Sequence, residues 1–128
     1  MLLERGVAVE AGLWDEAAVT AWLASPLRGR CTRVLLELPD GLDEQQACEL
    51  ADRMIDQLGG DGGGAPILLH GEGTSAWPLL AHARRRGLQA RIGLEDVLHL
   101  PDGRPAPNNA ALVTAAAAVH PTEAAPSQ

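Results

Sequence analysis

Four strand-helix units in succession predict an α/β fold with a parallel sheet, and three observations carry the prediction. Short apolar runs alternate with segments of helical period. The units recur at about thirty-residue spacing, which suits right-handed βαβ crossovers. Each helical segment is bracketed by capping or breaking residues. Four units make half of an eight-stranded (β/α) barrel, a fold that ordinarily takes about 250 residues, whereas this chain has 128. A doubly wound open sheet is the alternative, although no G-x-G-x-x-G follows the first strand. A half-barrel is expected to expose two sheet edges and an apolar inner face, and so to pair as a homo-oligomer or with a missing half.

The first unit begins with the apolar run Gly6 to Ala11, and Asp15 then introduces a helix carrying Val19, Trp22 and Leu23 at i, i+3, i+4 spacing. The second strand is Arg33 to Leu38. Asp43 and Gln46 after it have capping-box spacing, ahead of an apolar stripe of Ala47, Leu50, Ala51, Met54, Ile55 and Leu58 ended by Gly59-Gly60. A glycine-rich loop over 61–64 leads to the third strand, Pro66 to His70, whose helix starts near Ser75, holds Pro78 in its first turn and closes at Gly87. The fourth strand, Gln89 to Leu94, is joined through Pro101-Asp102-Gly103 to an alanine-rich helix, Ala110 to Val119, capped near Asn108. The domain is expected to span residues 1–120, with 121–128 a disordered tail.

Composition narrows the function classes. With 46% hydrophobic and 21% charged residues the chain is an ordinary globular one. Trp14, Trp22 and Trp77 are its only aromatics, which removes base-stacking platforms. The net charge of −7 repels a phosphate backbone. The one basic run, Arg84-Arg85-Arg86, reads as a solvated helix end that complements the helix dipole, and no nucleic-acid partner is expected. Cys31 and Cys48 lack metal-knuckle spacing and suit buried free thiols in a reducing compartment. No apolar run reaches membrane-spanning length and no signal peptide follows Met1, so a cytoplasmic protein without a membrane partner is expected.

In parallel α/β folds chemistry lies where strands end. The polar residues there are Glu10, Glu37, His70 with Glu72, and Glu95 with Asp96. Such an array is costly unless it binds a metal or shares protons. Individually, Glu10 and Glu37 could simply point to water, and His70 could be a core histidine making one backbone hydrogen bond. The loop Gly71-Glu72-Gly73-Thr74-Ser75 offers N–H groups and hydroxyls to a phosphate or coenzyme, or is a plain turn. Alternation puts Arg91, Gly93 and Glu95 on one face with Asp96 at the turn. An inward Arg91 needs a partner, for which Glu95 or Asp96 is expected. Glu95 could equally be a hard oxygen ligand for a divalent metal.

The stretch R-I-G-L-E-D, followed by L-P-D-G, N-N-A-A-L-V and an alanine-rich helix, resembles the C-terminal signature of the β-keto acid cleavage enzymes, the 3-keto-5-aminohexanoate cleavage family of lysine fermentation. G-V-A-V-E-A-G-L-W and H-G-E-G-T-S-A-W-P extend the resemblance over nearly the whole chain, which becomes the C-terminal half of a TIM (β/α)8 barrel. The resemblance implies a zinc-dependent exchange in which a β-keto acid and acetyl-CoA give acetoacetate and a new CoA thioester. It maps a zinc ligand onto Glu95 and catalytic roles onto Arg91 and Asp96, the aspartate orienting the arginine. Glu10 matches a further site glutamate, while Gly71, Gly73 and Thr74 are the expected coenzyme contacts. The H-x-H pair that supplies the family's other zinc ligands is absent, and His70, His82, His99 and His120 are isolated. One carboxylate alone does not hold zinc tightly. The chain is therefore expected to be a fragment, inactive by itself. A non-catalytic half-barrel or self-associating scaffold is the rival, with a hydrolase using Glu37 and Glu95 a third reading.

Overall fold

The computed structural model describes residues 2–60 and 64–120. The disordered tail expected at 121–128 and most of the 61–64 loop lie outside the described residues. Four strands, β1 (Glu10–Leu13), β2 (Arg33–Leu38), β3 (Ile67–Gly71) and β4 (Gln89–Ala90), alternate with helices α1 (Glu16–Leu23), α2 (Glu44–Gln57), α3 (Ala76–Arg86) and α4 (Asn109–Ala117). The sheet is parallel and its order is β1-β2-β3-β4. Strand order that never doubles back, with α1, α2 and α3 against the same sheet face, is the arrangement of successive barrel units and not of a doubly wound sheet.

Local chemistry accounts for the helices. The Asp15 carboxylate accepts from Ala18 N–H and starts α1. Asp43 and Gln46 form both halves of the capping box: Gln46 N–H donates to Asp43 Oδ1 at 2.8 Å and Asp43 N–H to Gln46 Oε1 at 3.0 Å. Behind this cap Ala47, Ala51, Met54 and Ile55 are fully buried against Val34, Leu36, Leu38, Ile67 and Leu69. Each such large side chain contributes about 1.5–3 kcal/mol by leaving water. The α3 helix stops where Gly87 turns into the left-handed region at φ 68°.

Three expectations need correction here. β1 starts at Glu10 instead of Gly6, because β2 begins at Arg33 and that residue is the register partner of Glu10. β4 ends at Ala90, well short of Leu94. The basic run, exposed at Arg84 and Arg86 in the last turn of α3 as expected, is corrected only in being paired: Arg86 meets Asp52 at 2.6 Å, Arg85 reaches His82 and Cys48, and Arg84 donates to the Ala116 carbonyl. Those arginines tie α3 to α2 and α4. Among the described residues no helix is long and apolar enough to cross a membrane, and both cysteines are free.

Candidate active site at the strand ends

Alternation along the strands separates two sheet faces. Val34, Leu36, Leu38, Ile67 and Leu69 point into the helix-covered core. The residues that alternate with them along the strands, Arg33, Leu35, Glu37, Leu68 and His70, share the other face with their register partners Glu10 and Gln89. The apolar inner face expected from the sequence is therefore corrected, since only Leu35 and Leu68 are large and apolar on it. At the start of the strands Arg33 donates to Glu10 Oε2 at 2.6 and 2.8 Å and to Gln89 Oε1 at 3.1 Å.

At the other end the same face gathers Glu37, His70, Arg91 and Asp96. The His70 side chain has no exposed surface, and its Nε2 lies 2.8 Å from Asp96 Oδ2 while Nδ1 lies 3.5 Å from Glu37 Oε1. Neither approach is aligned as a hydrogen bond, so both ring nitrogens and Asp96 Oδ2 are buried without a hydrogen-bond partner. Distance and alignment disagree at the Nε2 contact; both are compatible with a pair that a small ring rotation would close, as happens in catalytic sites before substrate arrives. Left open, each such group costs about 1–3 kcal/mol. The Arg91 guanidinium comes within 3.8 Å of Glu37 Oε1, with side chains 41% and 35% exposed.

The residues singled out in the sequence fall into three places. Arg91 and Asp96 join this cluster, but Arg91 takes Glu37 as its carboxylate, in place of Glu95 or Asp96. Glu10 does not lie at the C-terminal end of its strand: it opens β1 and is held by Arg33 at the opposite end of β2 from Glu37. Glu95 is exposed in the turn after β4, its carboxylate folded over Gly93, where an added Cβ would stand 2.7 Å from the carboxyl carbon. The turn forms because Asp96 N–H and Val97 N–H both donate to the Gly93 carbonyl.

The loop expected to hold a coenzyme is engaged internally. Thr74 N–H and Gly41 N–H donate to Asp40 Oδ1 at 2.7 and 2.8 Å, and the Thr74 hydroxyl donates to the Leu42 carbonyl. The hydrogen bonds that Asp40 itself accepts, led by that from Thr74 N–H, hold its carboxyl below the usual carboxylate range. Gly73, at φ 55°, lies directly against the Asp40 carboxylate, and its N–H donates to the Asp96 carbonyl. Gly71 has no room for a side chain, because a Cβ there would meet the Ser75 carbonyl oxygen at 2.6 Å.

Reading the sequence missed two things. His70 makes no backbone hydrogen bond and is instead flanked by carboxylates, which only the β2–β3 register and the turn after β4 reveal. Asn109 donates nothing to the site directly, but its side-chain oxygen accepts Leu94 N–H at 3.2 Å, while Asn108 caps α4 through Ala111 N–H. The N-N pair thus fastens the G-L-E-D turn to the following helix, a role its adjacency to a capping position could have suggested.

The donor set was tested against a divalent metal. Among the described residues no group of three His, Cys, Asp or Glu side chains could hold one, and Glu95 stands apart from the His70 cluster on the exposed side of its turn. These residues alone do not fit a closed zinc centre, which needs about four ligands or three and a water. Compared with known families, residues 2–124 match the model described as "BKACE: beta-keto acid cleavage enzyme". No curated protein matches the chain.

Proposed function

The chain belongs to the beta-keto acid cleavage enzyme family, and on that premise we propose that its strand-end cluster serves an acyl exchange of the 3-keto-5-aminohexanoate cleavage type. A β-keto acid and acetyl-CoA would yield acetoacetate and a new acyl-CoA thioester, so that one carbon–carbon bond breaks and one forms. The observation that supports this most is the convergence of Arg91, Glu37, His70 and Asp96 at one end of the uncovered sheet face. Charge develops on oxygen during acyl transfer, and a fixed guanidinium offsets it. Arg91 has that place in the reading: part of its surface faces outward for the reacting groups while Glu37 sets its orientation. The role of Asp96 differs from the one the resemblance implies, since its nearest cationic-capable neighbour is His70 and not Arg91.

Zinc on Glu95 remains part of the proposal only with donors from outside the described residues, and no step is derived through it. The same holds for the second half of the barrel, which a further copy or additional βα units would supply to the open edges at β1 and β4. Free thiols at Cys31 and Cys48 suit a cytoplasmic setting. Coenzyme contact by Gly71, Gly73 and Thr74 would require Asp40 to yield its hydrogen bonds.

The test is acetoacetate and acyl-CoA formation from acetyl-CoA and a panel of β-keto acids by the chain completed with the barrel half and the metal donors it lacks. Arg91→Met should lower kcat/KM by roughly 10²-fold, with an unchanged unfolding midpoint. Equal turnover by the completed barrel with and without Arg91→Met would remove Arg91 from the chemistry, and a completed barrel that converts no β-keto acid would sink the reading.

A further inference from the structure

We infer that His70 is a positioning residue of this site, its ring enclosed between Glu37 and Asp96 and holding Asp96 through Nε2. The inference rests on the acyl-exchange reading for its catalytic consequence, but its geometry stands alone.

β3 is buried at every position, and His70 is the one ionisable residue in it. A histidine placed there for packing would be expected to satisfy its ring on a backbone group, because an imidazole stripped of water needs a partner. His70 has none. Its two nitrogens face two carboxylates carried by separate elements, Glu37 on β2 and Asp96 in the turn after β4. The ring therefore bridges the sheet to the turn that also carries Glu95.

Asp96 is well fixed in its backbone and poorly fixed in its side chain. Its N–H donates to the Gly93 carbonyl at 3.0 Å, and its own carbonyl accepts from Gly73 N–H at 2.8 Å. The carboxylate, 5% exposed, has only the His70 ring at ion-pair distance among the described residues. Removing that ring would free the carboxylate to swing without moving the chain. On the other nitrogen Glu37 lies between His70 and Arg91, so the four side chains run Arg91, Glu37, His70, Asp96. A neutral imidazole has one N–H and one acceptor nitrogen, and carboxylates only accept. The nitrogen that carries the proton thus selects which carboxylate is held, and the shorter contact assigns that proton to Nε2.

Three variants, with turnover read in the completed barrel, and one spectrum of the chain itself test this. His70→Leu removes both nitrogens; His70→Gln returns a donor near the Nε2 position; His70→Asn returns one near Nδ1. The ring nitrogens of His70 are followed by 15N NMR and assigned by their loss in His70→Gln. Asp96→Asn should shift the Nε2 resonance more than Nδ1, and Glu37→Gln should do the reverse. In turnover, His70→Leu should lower kcat at least roughly tenfold with KM little changed, a size typical of one misplaced catalytic contact. His70→Gln should recover more of that loss than His70→Asn. Ring resonances indifferent to Asp96→Asn, full kcat in His70→Leu, or equal losses in all three variants would each overturn the inference. If His70→Leu does not fold, the Gln and Asn variants and the spectrum decide it. Should wild type show no acyl exchange, the function reading fails and the spectrum alone decides whether His70 holds Asp96.

Discussion

Asp40 and Asp96 both lie in loops just beyond strand ends, and they live in opposite circumstances. Asp40 is exposed, and one of its oxygens accepts backbone N–H groups from Gly41 and Thr74. Asp96 is almost wholly buried, and its Oδ2 accepts no hydrogen bond. For the first carboxylate desolvation is outweighed by these hydrogen bonds, and it fastens the loop after β2 to the loop after β3. The second is desolvated with no backbone return, beside a buried imidazole in the same state. A folded chain keeps such groups only where the surroundings over-determine them, and they gather at functional sites. Similar carboxylates at similar positions thus mark the architectural and the chemical parts of one sheet end.

The comparison can be broken most sharply on the architectural side. Gly71→Ala would drive a Cβ to 2.6 Å from the Ser75 carbonyl oxygen and 2.7 Å from its carbon, neither of which can move without α3. It should cost about 3 kcal/mol, as overpacking does, read as a lower urea midpoint. Stability unaffected by that change would mean that the end of β3 and the start of α3 are not packed rigidly against each other.

Asp96→Asn tests the chemical side. It removes a buried, unsatisfied carboxylate, so the unfolding midpoint should hold or rise while kcat falls roughly 10²-fold. A loss of stability with activity retained would place Asp96 with Asp40 as an architectural residue.

The pH response sharpens the contrast further. The folded-state pKa of Asp40 is lowered, so its contribution is complete above the ordinary carboxylate value and is lost as pH falls through the lowered one. Hydrogen exchange of the Thr74 amide should stay slow from neutral pH into mild acid, with the protection lost only under stronger acid. In Asp40→Asn the protection should be weaker at neutral pH and lose that acid step.

Gly93→Ala should have the smallest effect on stability, within about 0.5 kcal/mol, because the atoms nearest the new Cβ belong to the movable Glu95 carboxylate. It would nevertheless displace that carboxylate. Turnover and metal content unaffected by the change would show that the folded-back position of Glu95 is not the working one.

Much of the fold was legible because short-range physics dictates it. The β2 limits, the Asp43–Gln46 box, the Asp15 and Asn108 caps and the Gly87 stop each depend on residues a few positions apart. Arg91 and Asp96 were visible through a motif, and the strand-end rule picked out Glu37 and His70. The misreadings share a different cause. Strand limits at β1 and β4 depend on which neighbour offers a ladder, and an apolar run carries no record of its partner. The partner of Arg86, Asp52, lies on α2, 34 positions earlier, and so left no local sign in the arginine run.

By itself, the sequence determined the succession of βα units, the helix ends and the set of ionisable groups near strand ends, since each follows from periodicity or from hydrogen bonds between near neighbours. Tertiary structure alone decided that Arg33 claims Glu10, that Glu37 claims Arg91, and that His70 is enclosed between Glu37 and Asp96. Those pairings depend on the parallel register and on a turn bent over the end of β3. Which charges meet is a property of that distance-setting geometry, and residues thirty positions apart along the chain hold no local trace of it.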